Sequence, residues 1–248
     1  MKWTFAPVSR AGWVAIHVEA RKLIDTRSAR WLQLVMASVG LVLIALAIGL
    51  TSARSATLEL SVVLAGLALP GAVIAPLLAI LAITSDWQHK DVVKFYAVQP
   101  KRSVILAAKY IAVTVFAVAV VLVDCVIALL VATVFSWAAN VPLVYGAYGS
   151  SLWQVVCSVV VGSVSGAAVA SALMSTPVAI VFVLAQSTVL DLLIGFIPNI
   201  PAAYLQSGTF SSFLSEGGEV IPAVSSALIW IVVPALIGAW RHAKRDVV

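Results

Sequence analysis

Six long apolar stretches, separated by polar or basic segments, dominate the pattern along this chain. They are Trp31–Leu50, Leu60–Ile83, Val104–Phe135, Leu152–Met174, Pro177–Ile197 and Ile221–Trp240. A helix needs about 20 apolar residues to cross ~30 Å of hydrocarbon, and each stretch is long enough. Lipid offers no water to exposed backbone groups, so these stretches must be helical. The pattern predicts an all-α membrane protein with six transmembrane helices.

The segments between the stretches carry patterns of their own. From Ala11 to Arg30, Trp13, Ile16, Ala20, Leu23 and Ile24 recur at helical spacing on one face. Glu19, Arg21, Lys22, Asp25 and Arg30 fall on the other, with Arg21 and Asp25 four apart. This predicts an amphipathic helix over 11–30 lying in the membrane interface; the alternative is a plain charged arm beside the membrane. Residues 84–101 separate the second and third stretches. Thr84 or Ser85 is placed to cap a short helix with Asp86 in its first turn, and Pro100 to stop it. Val92, Phe95 and Tyr96 would share one side, rimmed by Lys90, Asp91 and Lys94. Such a helix either docks a soluble partner or rests on the membrane. The segment 198–220 holds Pro198, Pro201, Gly208, Gly217 and Gly218 among aromatic and aliphatic residues. It predicts broken half-helices dipping back towards the bilayer, as against an ordinary external loop.

Composition agrees with the pattern. The chain is 62% hydrophobic and 10% charged over 248 residues, whereas soluble domains carry about 25% charged residues. The length suits one domain over 1–248 and leaves no room for a second enzyme domain. The net charge of +5 is carried beside the apolar stretches, which points to membrane lipid as partner and not to nucleic acid. With six spans, fourteen of the fifteen Lys and Arg fall on one side and only Arg54 on the other. The positive-inside rule then places both ends in the cytoplasm. Trp31, Trp87, Trp137, Trp153 and Trp240 lie near predicted span ends, where indole favours the headgroup layer. Cys125 and Cys157 sit within apolar runs and read as buried small residues. The first apolar run begins near Trp31, too late for a cleavable secretory signal, so none is expected.

Around the second polar segment, Thr84, Asp86, Trp87, Pro100, Arg102 and Lys109 make the sequence resemble permease subunits of the ABC-2-type exporters. In that family a Thr/Ser–x–acid–aromatic start, a short helix, a Pro–x–Arg and a following Lys separate the second and third of six spans. An interfacial helix before the first span and a broken external segment before the last are also family features. The specific motif covers only about 25 residues. Asp86 stands where the family more often has Glu, and Lys90-Asp91 where Gly-Thr is common, which leaves the substrate open. The resemblance implies a pore built with a second permease copy or paralogue. It also implies a separate cytoplasmic ATPase gripping Asp86, Trp87, Lys90, Asp91, Val92, Phe95, Tyr96 and Arg102. ATP and magnesium would then sit on that partner and no cofactor on this chain. Consistently, no G-x-x-x-x-G-K-[ST] motif occurs. His17, His89 and His242 lie in separate segments, so no metal site is expected.

Asp124 and Asp191 are acids within spans, where ionisable groups are costly and are functional candidates. At ~1.5 Å per residue, Asp124 lies about 22 Å beyond Lys109 and Asp191 about 21 Å beyond Pro177, which suggests a shared depth. They either form a polar patch on a substrate path or bond within the bundle. Ser158, Gly162, Gly166 and Ala170 recur every four residues, a stripe that lets another helix come close. It serves packing inside one subunit or a dimer seam. Pro70 and Pro76 are expected to kink the second span. Three functions remain at this point: an ATP-driven exporter of hydrophobic or amphipathic cargo (a drug, antibiotic peptide or lipid-like molecule), a proton-gradient carrier using Asp124 and Asp191, and a non-transporting scaffold.

Overall fold

Apolar side chains on a backbone that must satisfy its own hydrogen bonds give long helices, and the computed structural model consists mainly of these. It describes residues 8–54, 57–88, 102–197 and 201–244. Among them, six helices are long and apolar enough to cross a membrane. The first four spans lie in the helices Arg27–Arg54, Leu60–Gln88, Arg102–Ala139 and Tyr148–Leu173. The fifth runs from Thr176 to Phe196 and the sixth from Val220 to Lys244, each interrupted by a π-helical turn. The chain is an all-α multi-pass membrane protein.

An N-terminal helix, α1 (Val8–Asp25), precedes the first span. It stops at Asp25, and the helix of the first span begins at Arg27, so the expected single helix to Arg30 is divided. Arg30 Nη2 donates to Asp25 O at 2.8 Å and Gln33 Nε2 to Leu23 O at 3.3 Å. These side chains bind carbonyls at the end of α1, where orphan acceptors need partners. Arg21 and Asp25 form the expected surface pair at 3.5 Å. The polar face is not as expected, however: Glu19 is turned inward and buried with Leu23.

The second and fourth spans form the centre. In their most apolar stretches 62% and 67% of residues are buried, against 17–33% in the other four spans. The remaining spans surround this pair and keep large apolar surfaces exposed, as a lipid solvent permits. Ile80, Ile83, Leu64, Val155 and Val159 are among the fully buried side chains at the centre.

The helix of the second span passes through Pro70, Pro76, Thr84 and Ser85 without a break and ends at Gln88. No new helix starts at Thr84 or Ser85. Thr84 Oγ1 instead donates back to Ile80 O at 2.8 Å, a bond that belongs to a helix interior. The rest of the 84–101 segment, from His89 onward, lies outside the described residues.

Contacts between helix ends set the two ends of the bundle. The end of α1, the ends of the second, fourth and sixth spans and the starts of the third and fifth lie together. We refer to this as the terminal end. At the far end a two-residue parallel ladder pairs β1 (Leu58–Glu59) with β2 (Leu143–Val144), joining the connections that follow the first and third spans.

Candidate functional site

At the terminal end, polar side chains cross between helices in an otherwise apolar core. Lys109, two turns into the third-span helix, is buried and meets Glu19 of α1 at 2.9 Å. Its ammonium also donates to Ala82 O of the second span at 3.0 Å. Lys22, one turn beyond Glu19, binds the other carboxylate oxygen at 2.8 Å. A buried charge is tolerable only when paired and hydrogen-bonded, and this arrangement meets that demand by joining three helices. Close by in the second span, Thr84 Oγ1 and Thr176 Oγ1 share a 2.6 Å hydrogen bond, which ties this span to the first turn of the fifth. Tyr110 OH and Ser171 Oγ, 3.0 Å apart, link the third and fourth.

These links bracket the predicted partner-binding segment. Asp86 and Trp87 fall in the last turn of the second-span helix, and Arg102 is the first residue of the third-span helix. Lys90, Asp91, Val92, Phe95 and Tyr96 lie outside the described residues.

The two intramembrane acids have different surroundings. Asp124 is buried in the third span and has no hydrogen bond or ion pair among the described residues. Asp191 opens the last helical piece of the fifth span and is engaged on both oxygens. Ser207 N donates to Oδ1 at 2.9 Å and to Oδ2 at 3.1 Å, and Ser207 Oγ donates to Oδ2 at 2.7 Å. Asp191 therefore anchors the chain that leads into the sixth span. Ser187, Thr188, Leu192 and Gln206 line a shallow cleft of about 480 Å³ beside it.

That chain contains a short 3₁₀ turn (Ala202–Tyr204), an irregular stretch and the helix Thr209–Glu216. Side chains of the sixth span take its carbonyls in succession. Ser225 Oγ donates to Tyr204 O at 2.6 Å, Trp230 Nε1 to Leu205 O at 2.7 Å and Ser226 Oγ to Gln206 O at 2.8 Å. Trp153 Nε1 of the fourth span holds Leu214 O at 2.9 Å. Non-helical backbone near a bilayer requires this kind of satisfaction by protein.

Both π-helical turns lie near this segment in sequence. The one at Leu228–Val232 carries Trp230, whose carbonyl accepts from Ser165 Oγ at 3.2 Å. The other, Gln186–Leu190, starts at a buried glutamine whose Oε1 has no partner among the described residues. Such turns occur often at functional positions.

In the small-residue stripe, Gly162 and Gly166 face Pro76 of the second span in the same chain. A Cβ on Gly166 would lie 2.6 Å from Pro76 Cα and O, closer than two such atoms approach. Backbone therefore meets backbone at this crossing, and Ala170 is fully buried farther along. Ser158 Oγ is turned onto its own helix, donating to Val155 O at 2.8 Å.

Sequence patterning missed the polar links. Glu19 reads as surface on a helical wheel, and nothing local pairs it with Lys109. The one available signal was Lys109 itself, a cation inside an apolar run that needs a buried partner. No group of His, Cys, Asp and Glu among the described residues is arranged to hold a metal.

The fold defines the class: a six-span helical membrane protein with a buried polar junction at one end and a side-chain-held irregular segment at the other. No family model matches the chain, and no curated protein matches it.

Proposed function

We propose that this chain is the permease subunit of an ATP-binding-cassette exporter of the ABC-2 type. It moves hydrophobic or amphipathic cargo outward across the cell membrane and works with a second permease copy or paralogue. Both termini lie in the cytoplasm. A separate ATPase engages the 84–101 segment and supplies ATP hydrolysis, which this chain does not perform. The observation that supports this reading most is the junction flanking the segment. Thr84 at its start binds Thr176, and Lys109 just past its end binds Glu19 and Ala82 O. A push on the segment thus reaches α1 and the second, third and fifth spans through buried bonds. The cargo class follows from the few charges on the spans.

The test is co-purification followed by labelling. Wild type retains a soluble ATPase, and Phe95→Ala/Tyr96→Ala loses it while staying folded. A single cysteine introduced near Lys94 is labelled only after the cells are opened. Labelling on intact cells, or a double variant that still holds the ATPase and transports normally, overturns the proposal.

The gradient-driven carrier keeps Asp124 as its one support, because Ser207 occupies both oxygens of Asp191. An uncoupler that stops transport with ATP present, together with loss of flux in Asp124→Asn, would favour the carrier instead.

A further inference from the structure

Beyond Gln186 the fifth span turns two adjacent rows of side chains to one side. Ser187, Asp191 and Gly195 follow one another at four-residue intervals, and Thr188, Leu192 and Phe196 do the same beside them. All six line the cleft of about 480 Å³ at Asp191, and the Gln206 side chain completes its wall. Gly195 leaves room for that side chain: Gln206 Nε2 lies 3.6 Å from the point where a Cβ on Gly195 would stand. The volume falls in the range of small-molecule sites, roughly 300–1,000 Å³.

The hydrogen bonds around the cleft leave it rich in acceptors. Ser187 Oγ donates to Val183 O at 3.1 Å and Thr188 Oγ1 to Leu184 O at 2.5 Å. Both hydroxyl protons are thus held by the helix, and the oxygen lone pairs remain. Gln206 Nε2 donates to Asp191 O at 3.2 Å, while Gln206 Oε1 accepts no hydrogen bond among the described residues. Asp191 accepts three bonds from Ser207, but a carboxylate has about four acceptor positions. A neutral N–H and a neutral O–H also leave its charge in place. Asp191 has no ion pair among the described residues, and no lining residue is Lys, Arg or His.

That set of groups selects the chemistry of a ligand. It must bring hydrogen-bond donors and positive charge, because acceptors facing acceptors repel. A primary ammonium carries three N–H donors, which suit the Asp191 carboxylate, the two hydroxyl oxygens and Gln206 Oε1. A bare metal ion suits them less well. Calcium takes about six to eight oxygens, and the described residues hold no group of His, Cys, Asp and Glu arranged for a metal. The second row sets the remainder of the ligand. Leu192 and Phe196 are exposed beside the carboxylate, so an apolar body attached to the ammonium has a surface to cover, and a phenyl face attracts a cation as well. A zwitterionic lipid headgroup is a poorer match. Its phosphate would follow the ammonium towards a carboxylate with no lining cation to receive it.

We infer that this cleft binds the ammonium group of a small, free amphiphilic amine. Asp191 supplies the opposite charge, and Leu192 and Phe196 lie against the apolar body.

The inference rests on the cleft and not on the exporter reading, since binding here needs neither an ATPase nor transport. It is tested by photolabelling the full chain in a neutral detergent. The probe is 4-phenylbutylamine with a diazirine on its ring, and the control is the alcohol of the same body. Adducts are mapped by mass spectrometry of peptides. The amine is expected to label residues 187–196, to be displaced by unlabelled 4-phenylbutylamine, and to exceed the alcohol there by about tenfold. Asp191→Asn, which keeps an acceptor for Ser207 N–H, should bring the amine down to the level of the alcohol. If hydrogen exchange at 204–208 shows that this variant disturbs the segment, Ser187→Ala/Thr188→Val carries the test. It leaves the Asp191–Ser207 bonds in place and should lower amine labelling by about tenfold. Equal labelling by amine and alcohol overturns the inference, as does wild-type labelling in Ser187→Ala/Thr188→Val together with Asp191→Asn. Displacement by phosphatidylethanolamine as effective as by the free amine also overturns it, because the cleft would then hold a lipid headgroup.

Discussion

The polar bonds at the two ends of this bundle hold different kinds of structure. At the terminal end side chains link one regular helix to another: Glu19 to Lys109, Thr84 to Thr176, Tyr110 to Ser171, and Lys109 and Arg241 to the helical carbonyls of Ala82 and Ala172. At the far end they bond to irregular backbone: Ser225, Trp230 and Ser226 to successive carbonyls, and Asp191 to Ser207. A helix satisfies its own backbone, so the terminal links fix how helices sit relative to one another and not whether they exist. The irregular segment has no such independence, and its shape depends on the side chains that satisfy it. Damage at the first end should therefore spread across the bundle, and damage at the second should stay local.

The sharpest test of that contrast is Lys109→Met. It leaves Glu19 charged in the junction with one cation fewer, and loss of one partner of a buried pair costs about 3–5 kcal/mol. Denaturant titration in mixed micelles should show this as a shift of the whole transition. Adding Glu19→Leu should recover most of the loss, since replacing both partners with apolar groups removes the stranded charge. A single variant costing no more than a surface pair would undo the contrast.

Next in size is Asp191→Ala, which strips the acceptor from Ser207 N–H and hydroxyl. Hydrogen bonds to a charged group are worth about 1.5–3 kcal/mol. The loss should appear as faster hydrogen exchange at 204–208 with little change at the terminal end. A global shift equal to that of Lys109→Met would erase the distinction. Trp230→Phe frees only Leu205 O and should cost about 1 kcal/mol, again read as local exchange. Thr84→Val is the smallest, about 0.6 kcal/mol, the average of interhelical hydrogen bonds in a membrane protein. A cost above that of Asp191→Ala would mean the threonine pair, and not the ion pair, holds the terminal end.

The spans themselves were legible because a solvent without hydrogen-bonding groups leaves a long, continuous mark on composition. Leu60–Ile83 was read as a span, and its helix does begin at Leu60. The expected stop near Thr84 failed because a threonine that caps a helix and one that donates back into it look alike in sequence. What decides is Thr176, 92 residues away. Glu19 was placed on the polar face for the same reason, its partner lying 90 residues along the chain. The break in the sixth span at Leu228–Val232 has no residue signature either. Its Trp230 carbonyl is taken by Ser165, 65 residues earlier in the sequence. Gly166 was legible as a place of close approach, because the absence of a side chain is a local property. The identity of the helix it meets was not.

That approach has a mechanical consequence. Where Gly166 lets the second and fourth spans touch backbone to backbone at Pro76, two thin rods become one thicker beam. Resistance to bending rises steeply with thickness. A displacement applied at Gln88 should therefore arrive at Leu60, about 42 Å away along the axis, with little lost to flexing on the way.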